Sequence, residues 1–297
     1  MTRYFVFIFF CFFGCSDSIT LPNSTGSNSE VVFVVSDKLW KNVIEKFVKE
    51  TFEDTIDGLA KNEKVFSVLQ VNHNQFNSIF KKHKNIIIVE EDVENYSTKN
   101  KWALNQFVAQ LNWNNDLQIF LNELRKLRSI LMLKEISVIR KNLSKNSQKK
   151  IENKLKKKFN IDCVLPKEYD VLKIDSTFFW ANYDPKNSDE IKNIMIFSFN
   201  PKKNNLQQQV LDNTDSIFSK YLIGAKEGSY VKIEPDYPPY YFENTYRGIW
   251  KLENGFMGGP FLIKTYFIEQ KIIVSIGLVF APQNTKRKYI KEFEAIL

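Results

Sequence analysis

The chain has 297 residues, 43% of them hydrophobic and 14% aromatic, with 26 phenylalanines, which is enough for one large core or two small ones. Its formal charge of +8 belongs to one segment: residues 121–160 hold thirteen Lys or Arg against three acids, a local +10, leaving about −2 for the remainder. Three cysteines, two of them at positions 11 and 15, exclude a disulfide framework within the body, and a lone pair of histidines argues against a His-built metal centre.

Met1–Arg3 is a short positive start, Tyr4–Phe13 is an unbroken apolar run, and Gly14-Cys15 ends it before Ser16-Asp17-Ser18. Ten apolar residues are too few for a spanning helix, which needs about 20. The layout is that of a signal peptide. Phe12-Phe13-Gly14-Cys15 resembles the lipobox of bacterial lipoproteins, where a small residue precedes a cysteine that is acylated and becomes the new N-terminus. Here Phe12 and Phe13 replace the usual Leu and small residue. The expectation is a signal peptide over 1–14, a lipidated Cys15 holding the protein on a membrane, and a flexible tether over 15–29.

The body spans 30–297 and divides by pattern into a helix-rich part, 30–160, and a strand-rich part, 161–297. Glu30–Val35 is a β-branched strand run, and Ser36 caps a helix carrying Trp40, Val43, Ile44, Phe47 and Val48. Phe66–Val71 reads as a strand, Asn72 as the cap of a helix with Phe76, Ile79 and Phe80, and Asn85–Val89 as a strand buried on both faces. Trp102–Leu111 follows as a strand. Leu117 to Phe159 carries a helical stripe with an irregularity near Ser144, so one long helix or two in line is expected, with a basic outer face. Strands are then expected over Ile161–Leu165, Tyr169–Ile174, Phe178–Tyr183, Ile194–Phe199, Ser229–Ile233, Tyr246–Leu252, Pro260–Phe267 and Ile272–Phe280. Helices are expected over Gln207–Tyr221 and Lys286–Leu297. The sum is an α+β fold with a mixed, largely antiparallel sheet packed with several helices.

Seven of the ten glycines fall between Gly224 and Gly277, four of them within Arg247–Phe261. Pro260 opens a strand after Gly258-Gly259, where a phosphate loop would need Lys and Ser or Thr opening a helix. The stretch is therefore a turn with a bulge at a sheet corner, or a binding cleft built on the same turn. Arg247, Trp250, Phe256, Gly258 and Gly259, with Tyr237 and Tyr240 from the stiff Pro/Tyr loop before them, form the expected contact surface.

Catalytic signatures are missing. Gly228-Ser229 lacks the nucleophile elbow, and His73 and His83 make no metal-ligand spacing. Cys163 reads as a buried small hydrophobe, while Glu243 and Glu253 are the acids nearest the glycine stretch. No catalytic residue, metal or cofactor is assigned.

Several segments together resemble a Bacteroidota lipoprotein family known as domain of unknown function 4837. They are Asp37–Trp40, Lys84–Val89, Gly224 with Gly228-Ser229-Tyr230, Arg247–Trp250, Phe256–Phe261, Phe280-Ala281-Pro282 and Glu294-Ala295-Ile296. The resemblance implies an exported lipoprotein and supplies no activity. The expected function is a non-catalytic binding or assembly module of the cell envelope; the alternative is a carboxylate-dependent enzyme acting on an envelope polymer. Partners for an exported chain exclude nucleic acid and include an envelope protein, anionic lipid or glycan.

Overall fold

The computed structural model describes residues 20–203 and 205–297; the expected signal peptide and the expected lipidation at Cys15 lie outside the described residues. β1 (Glu30–Val34) is flanked at its edges by parallel strands, β2 (Ser67–Val71) and β3 (Asn85–Glu90), and is buried on both faces because Val31 and Phe33 pack into one apolar cluster and Val32 and Val34 into another. β4 (Tyr96–Lys99) and β5 (Phe107–Asn112) complete the sheet in the order β2-β1-β3-β5-β4, with β5 parallel to β3 and β4 antiparallel at the edge.

Helices cover one face of this sheet. Ser36 accepts from the Leu39 N–H and starts α1 (Asp37–Leu39), which runs through a π-helical turn, Trp40–Ile44, into α2 (Glu45–Phe52). Asp116 does the same for α3 (Leu117–Ser144), accepting from Ile119 N–H at 3.0 Å. Their apolar stripes, Trp40, Ile44, Val48, Phe52, Phe120, Leu124 and Leu131, meet Phe33, Ile87 and Ala109 of the sheet. The opposite face packs against Phe76, Phe80 and Trp102.

α4 (Lys149–Phe159) is a separate helix. The helical path breaks over 145–148, where Ser147 bridges to Pro166 and the Gln148 amide donates to the carbonyls of Pro166 and Tyr169.

The second sheet has eight strands: β6 (Asp170–Ile174), β7 (Phe178–Tyr183), β8 (Ile191–Phe199), β9 (Tyr230–Ile233), β10 (Tyr240–Phe242), β11 (Thr245–Glu253), β12 (Gly258–Ile268) and β13 (Lys271–Phe280). Their order is β10-β11-β12-β13-β8-β7-β6, with β9 also on β11, and every pairing is antiparallel. α5 (Leu206–Tyr221) packs on one face and α6 (Arg287–Ile296) on the other. Alternation along β13 shows why: Val274, Ile276 and Leu278 point toward α5, while Gly277 leaves room for Phe293 of α6.

The architecture is α+β, antiparallel pairing predominates, and the parallel pairs are confined to the first sheet. The largest apolar cluster runs from the first sheet through α3, α4 and α6 into the second sheet. Some expectations change. The Asn72 segment forms turns and a 3-10 turn, Phe80–Lys82, because the Asn72 side chain closes a tight turn by accepting from Gln75 N–H at 3.0 Å. Ile161–Leu165 is buried but irregular. The part of the expected tether that is described is tied down: Thr25 exchanges backbone bonds with Lys82 and Lys84 (2.8 and 2.9 Å), and Leu104 N–H donates to the Pro22 carbonyl at 2.7 Å.

Candidate functional site

The corner between β11 and β12 is built from Trp250, Gly259, Pro260 and Val279 acting as a unit. Trp250 stands opposite Gly259 and Ile249 opposite Pro260. Pairing of β12 with β13 begins only at Phe261 and Leu278. Continuing that register would set Pro260 against Val279, and proline has no N–H to give. The Val279 carbonyl instead accepts from the indole N–H of Trp250, at 3.2 Å. The indole reaches it across Gly259, where a Cβ would lie 2.0 Å from the Val279 oxygen. Glycine is required there by close approach.

This corner floors a cleft of about 620 Å³, walled by the 59–63 loop, the 249–260 hairpin and the 282–286 loop. The floor is apolar, from Trp250, Leu252, Met257, Gly258 and Gly259. Phe256 stands on its rim, 91% exposed, with its ring edge-on to Phe280 at 6.5 Å.

Both carboxylates lining the cleft are committed. Glu234 pairs with Lys251 at 3.1 Å. Glu63 accepts the backbone N–H groups of Lys286 and Arg287, at 2.7 and 2.6 Å, and so caps α6 from the other half of the chain. The Lys286 amine donates to the carbonyls of Ala281 and Asn284, and burial pushes it below the usual lysine range. The site has the chemistry of a ligand cleft with an apolar floor and a polar rim.

Trp250, Phe256, Gly258 and Gly259 from the expected contact surface all line this cleft. Arg247 is not among the residues that line the cleft: its guanidinium points toward α6 and donates to Glu294 at 2.7 Å, with a side chain only 20% exposed. Glu294 also takes Lys291 at 2.7 Å. Burial alone would raise that carboxyl, but Lys291 and Arg247 outweigh it and hold it below the usual range. Tyr237 and Tyr240 are exposed, at 43% and 38%, but lie outside the lining; Tyr240 sits on β10 opposite Arg247. Glu253 pairs with Lys232 at 2.6 Å, and Glu243 occupies a tight turn at φ 44, so neither forms a carboxylate pair on the cleft.

A second charged cluster escaped sequence reading because its members are about a hundred residues apart. Lys192, 6% exposed, contacts Glu292 at 2.7 Å and Glu190 at 3.3 Å, and the Tyr289 hydroxyl donates to Glu190 at 2.5 Å. It is a packed tie between β8 and α6. Cys163 is buried, and burial pushes its thiol up to about 12, far from a nucleophile's range. Among the described residues no group of three His, Cys, Asp or Glu is placed to hold a metal ion, and no helix is long and apolar enough to cross a membrane.

Part of the basic segment is structural. Arg140 donates to the Ala295 carbonyl at 2.6 Å at the end of α6, Lys156 pairs with Asp162 at 2.7 Å, and Lys158 donates to the Asp175 carbonyl at 2.6 Å. Lys150, Lys154 and Lys157 remain exposed on the outer side of α4.

These features define a two-sheet α+β protein with an apolar cleft at one sheet corner. The chain belongs to the family described as Domain of unknown function (DUF4837), whose model matches residues 147–297. A second family, Domain of unknown function (DUF8532), matches residues 24–122, so the resemblance carried by Asp37–Trp40 and Lys84–Val89 falls in that match. No curated protein matches the chain.

Proposed function

We propose that the protein is an exported lipoprotein of the cell envelope, held on a membrane through an acylated Cys15, and that its body is a non-catalytic binding module. The ligand-facing surface is the cleft around Trp250, Phe256 and Gly258-Gly259. One observation carries this reading. The cleft combines an apolar floor with carboxylates that are already bonded, Glu63 to the α6 backbone and Glu234 to Lys251. An acid–base pair acting on a polymer needs two carboxyls free to exchange protons with substrate.

A photo-reactive phenylalanine analogue tests it in intact cells. Placed at Phe256 it should give a discrete adduct; placed at Phe267, which is 71% exposed but outside the cleft lining, it should not. Equal labelling at both positions, or none at Phe256, would end the cleft reading.

A further inference from the structure

The parallel strands β1, β3 and β5 all begin at one end of the first sheet, and the segments leading into them gather there, around 22–29, 79–84 and 100–106. Gln106, 1% exposed, stitches two of them together. Its amide donates to the carbonyls of Lys81 and His83, at 2.6 and 2.7 Å, and accepts from the Trp102 N–H at 2.9 Å.

A ribbon of aromatics and lysines runs from this end along the sheet, and Tyr96, paired with Gln110 further along β5, is joined to it by the Lys101 amine, which donates to its hydroxyl at 2.7 Å. The Lys101 amine lies 5.2 Å from the Tyr96 ring centre and 4.7 Å from that of Trp102. Phe76 meets Trp102 edge-on at 5.6 Å, and Lys81 lies 5.8 Å from the Phe76 ring. Beside the ribbon Ile79 is 72% exposed and Leu104 is 41% exposed. Lys82, Lys84 and Lys99 belong to the same end, whereas Glu90, Glu91 and Asp92 follow β3 at the opposite end. Two acids are placed at this end: Glu30 faces His83 at 3.5 Å, and Glu53, which accepts from Val68 N–H at the start of β2, is paired with Lys64 at 2.7 Å. The resulting positive field joins burial in lowering Lys134, which Lys84 and Lys99 surround.

We infer that this end of the first sheet is a membrane-contact surface, resting on a bilayer that carries anionic headgroups. Ile79 and Leu104 enter the headgroup layer, Trp102 and Tyr96 sit at the interface, and the lysines meet lipid phosphates. The inference rests on the Cys15 anchor proposed above. The Pro22 carbonyl is already bonded to Leu104 at this end, and Cys15 lies only seven positions before it. At about 3.5 Å per extended residue the leash is at most roughly 25 Å. An acylated Cys15 therefore keeps this end of the sheet close to the membrane.

The test uses the full chain carrying Cys15→Ala, which cannot be acylated, mixed with vesicles of phosphatidylcholine with or without phosphatidylglycerol. Binding should favour the phosphatidylglycerol vesicles, weaken with salt, and fall about five-fold for each of Lys81→Ala and Lys101→Ala. Ile79→Ser should weaken it as well. Lys150→Ala with Lys154→Ala on α4 should leave it unchanged. The apolar run before Cys15 is common to every variant, so differences report the patch, and circular dichroism confirms that each variant is folded. Binding insensitive to the three patch substitutions, or lost equally through α4, overturns the inference. The anchor is judged separately: Cys15→Ala protein that stays in cell membranes after carbonate washing defeats the lipidation reading, whatever the vesicles show.

Discussion

Lys134 hangs its amine between the Lys84 carbonyl, at 3.3 Å, and the side-chain oxygen of Asn85, at 2.9 Å. Burial, with Lys84 and Lys99 nearby, pushes it down from 10.5 to about 8. The folded protein thus releases this proton earlier than the unfolded chain does. Between those two values the unfolded state binds more protons, so stability rises with pH across that window. The urea midpoint should climb as pH is raised through it, and Lys134→Met should flatten the climb. A rise of equal size in both proteins would show that other groups are responsible. At this scale the sequence was partly legible. Gly258-Gly259-Pro260 announced a corner, but the residue that makes glycine obligatory, Val279, lies twenty positions later. The partner of Arg247 was hidden for the same reason: Glu294, which holds it, lies 47 positions later on another element.

α6 starts without a capping side chain of its own, since Lys286 makes no such bond. Glu63 takes over that task from the other half of the chain. Glu63→Ala should therefore lower stability by about 1 kcal/mol, within the roughly 0.5–2 kcal/mol range of lost caps. Glu63→Gln, which keeps an acceptor oxygen, should lose less in the same denaturation experiment. Identical losses, or none, would show that the cap is not what Glu63 contributes. Periodicity made most elements legible, because α2, α3 and α5 each bury one stripe, α6 repeats its apolar residues at helical spacing, and β1 and β3 are apolar on both faces. It failed where side chains or distant segments satisfy the backbone. Val164 N–H donates to the Ile296 carbonyl and Leu165 N–H to Glu152, so Ile161–Leu165 stays buried without joining a sheet. The short edges β4 and β10 show mostly exposed residues and gave no alternating pattern to read.

At the scale of the molecule, the two family matches end and resume on either side of 123–146, within or just beyond α3, and α3 packs on both α2 and α6. The main core is continuous across them. The bonds that close it are far apart along the chain. Glu63 and Lys286 are separated by 223 residues, and Arg287 reaches back 152 residues to grip Glu135 with two bonds of 2.7 Å. Glu135 is 5% exposed, and a carboxylate that deep without its guanidinium is strongly unfavourable. The order of synthesis then matters. The first sheet and its helices leave the ribosome long before their last covering helix exists, and such distant closures are slow. A chain stopped after Phe280 should bind a dye that reports exposed apolar surface, and a peptide of residues 281–297 added afterwards should displace it. A truncated chain that binds no dye would mean the early half matures alone. In the intact chain the protein spends its first moments with an unfinished seam, to be kept from neighbours until α6 arrives.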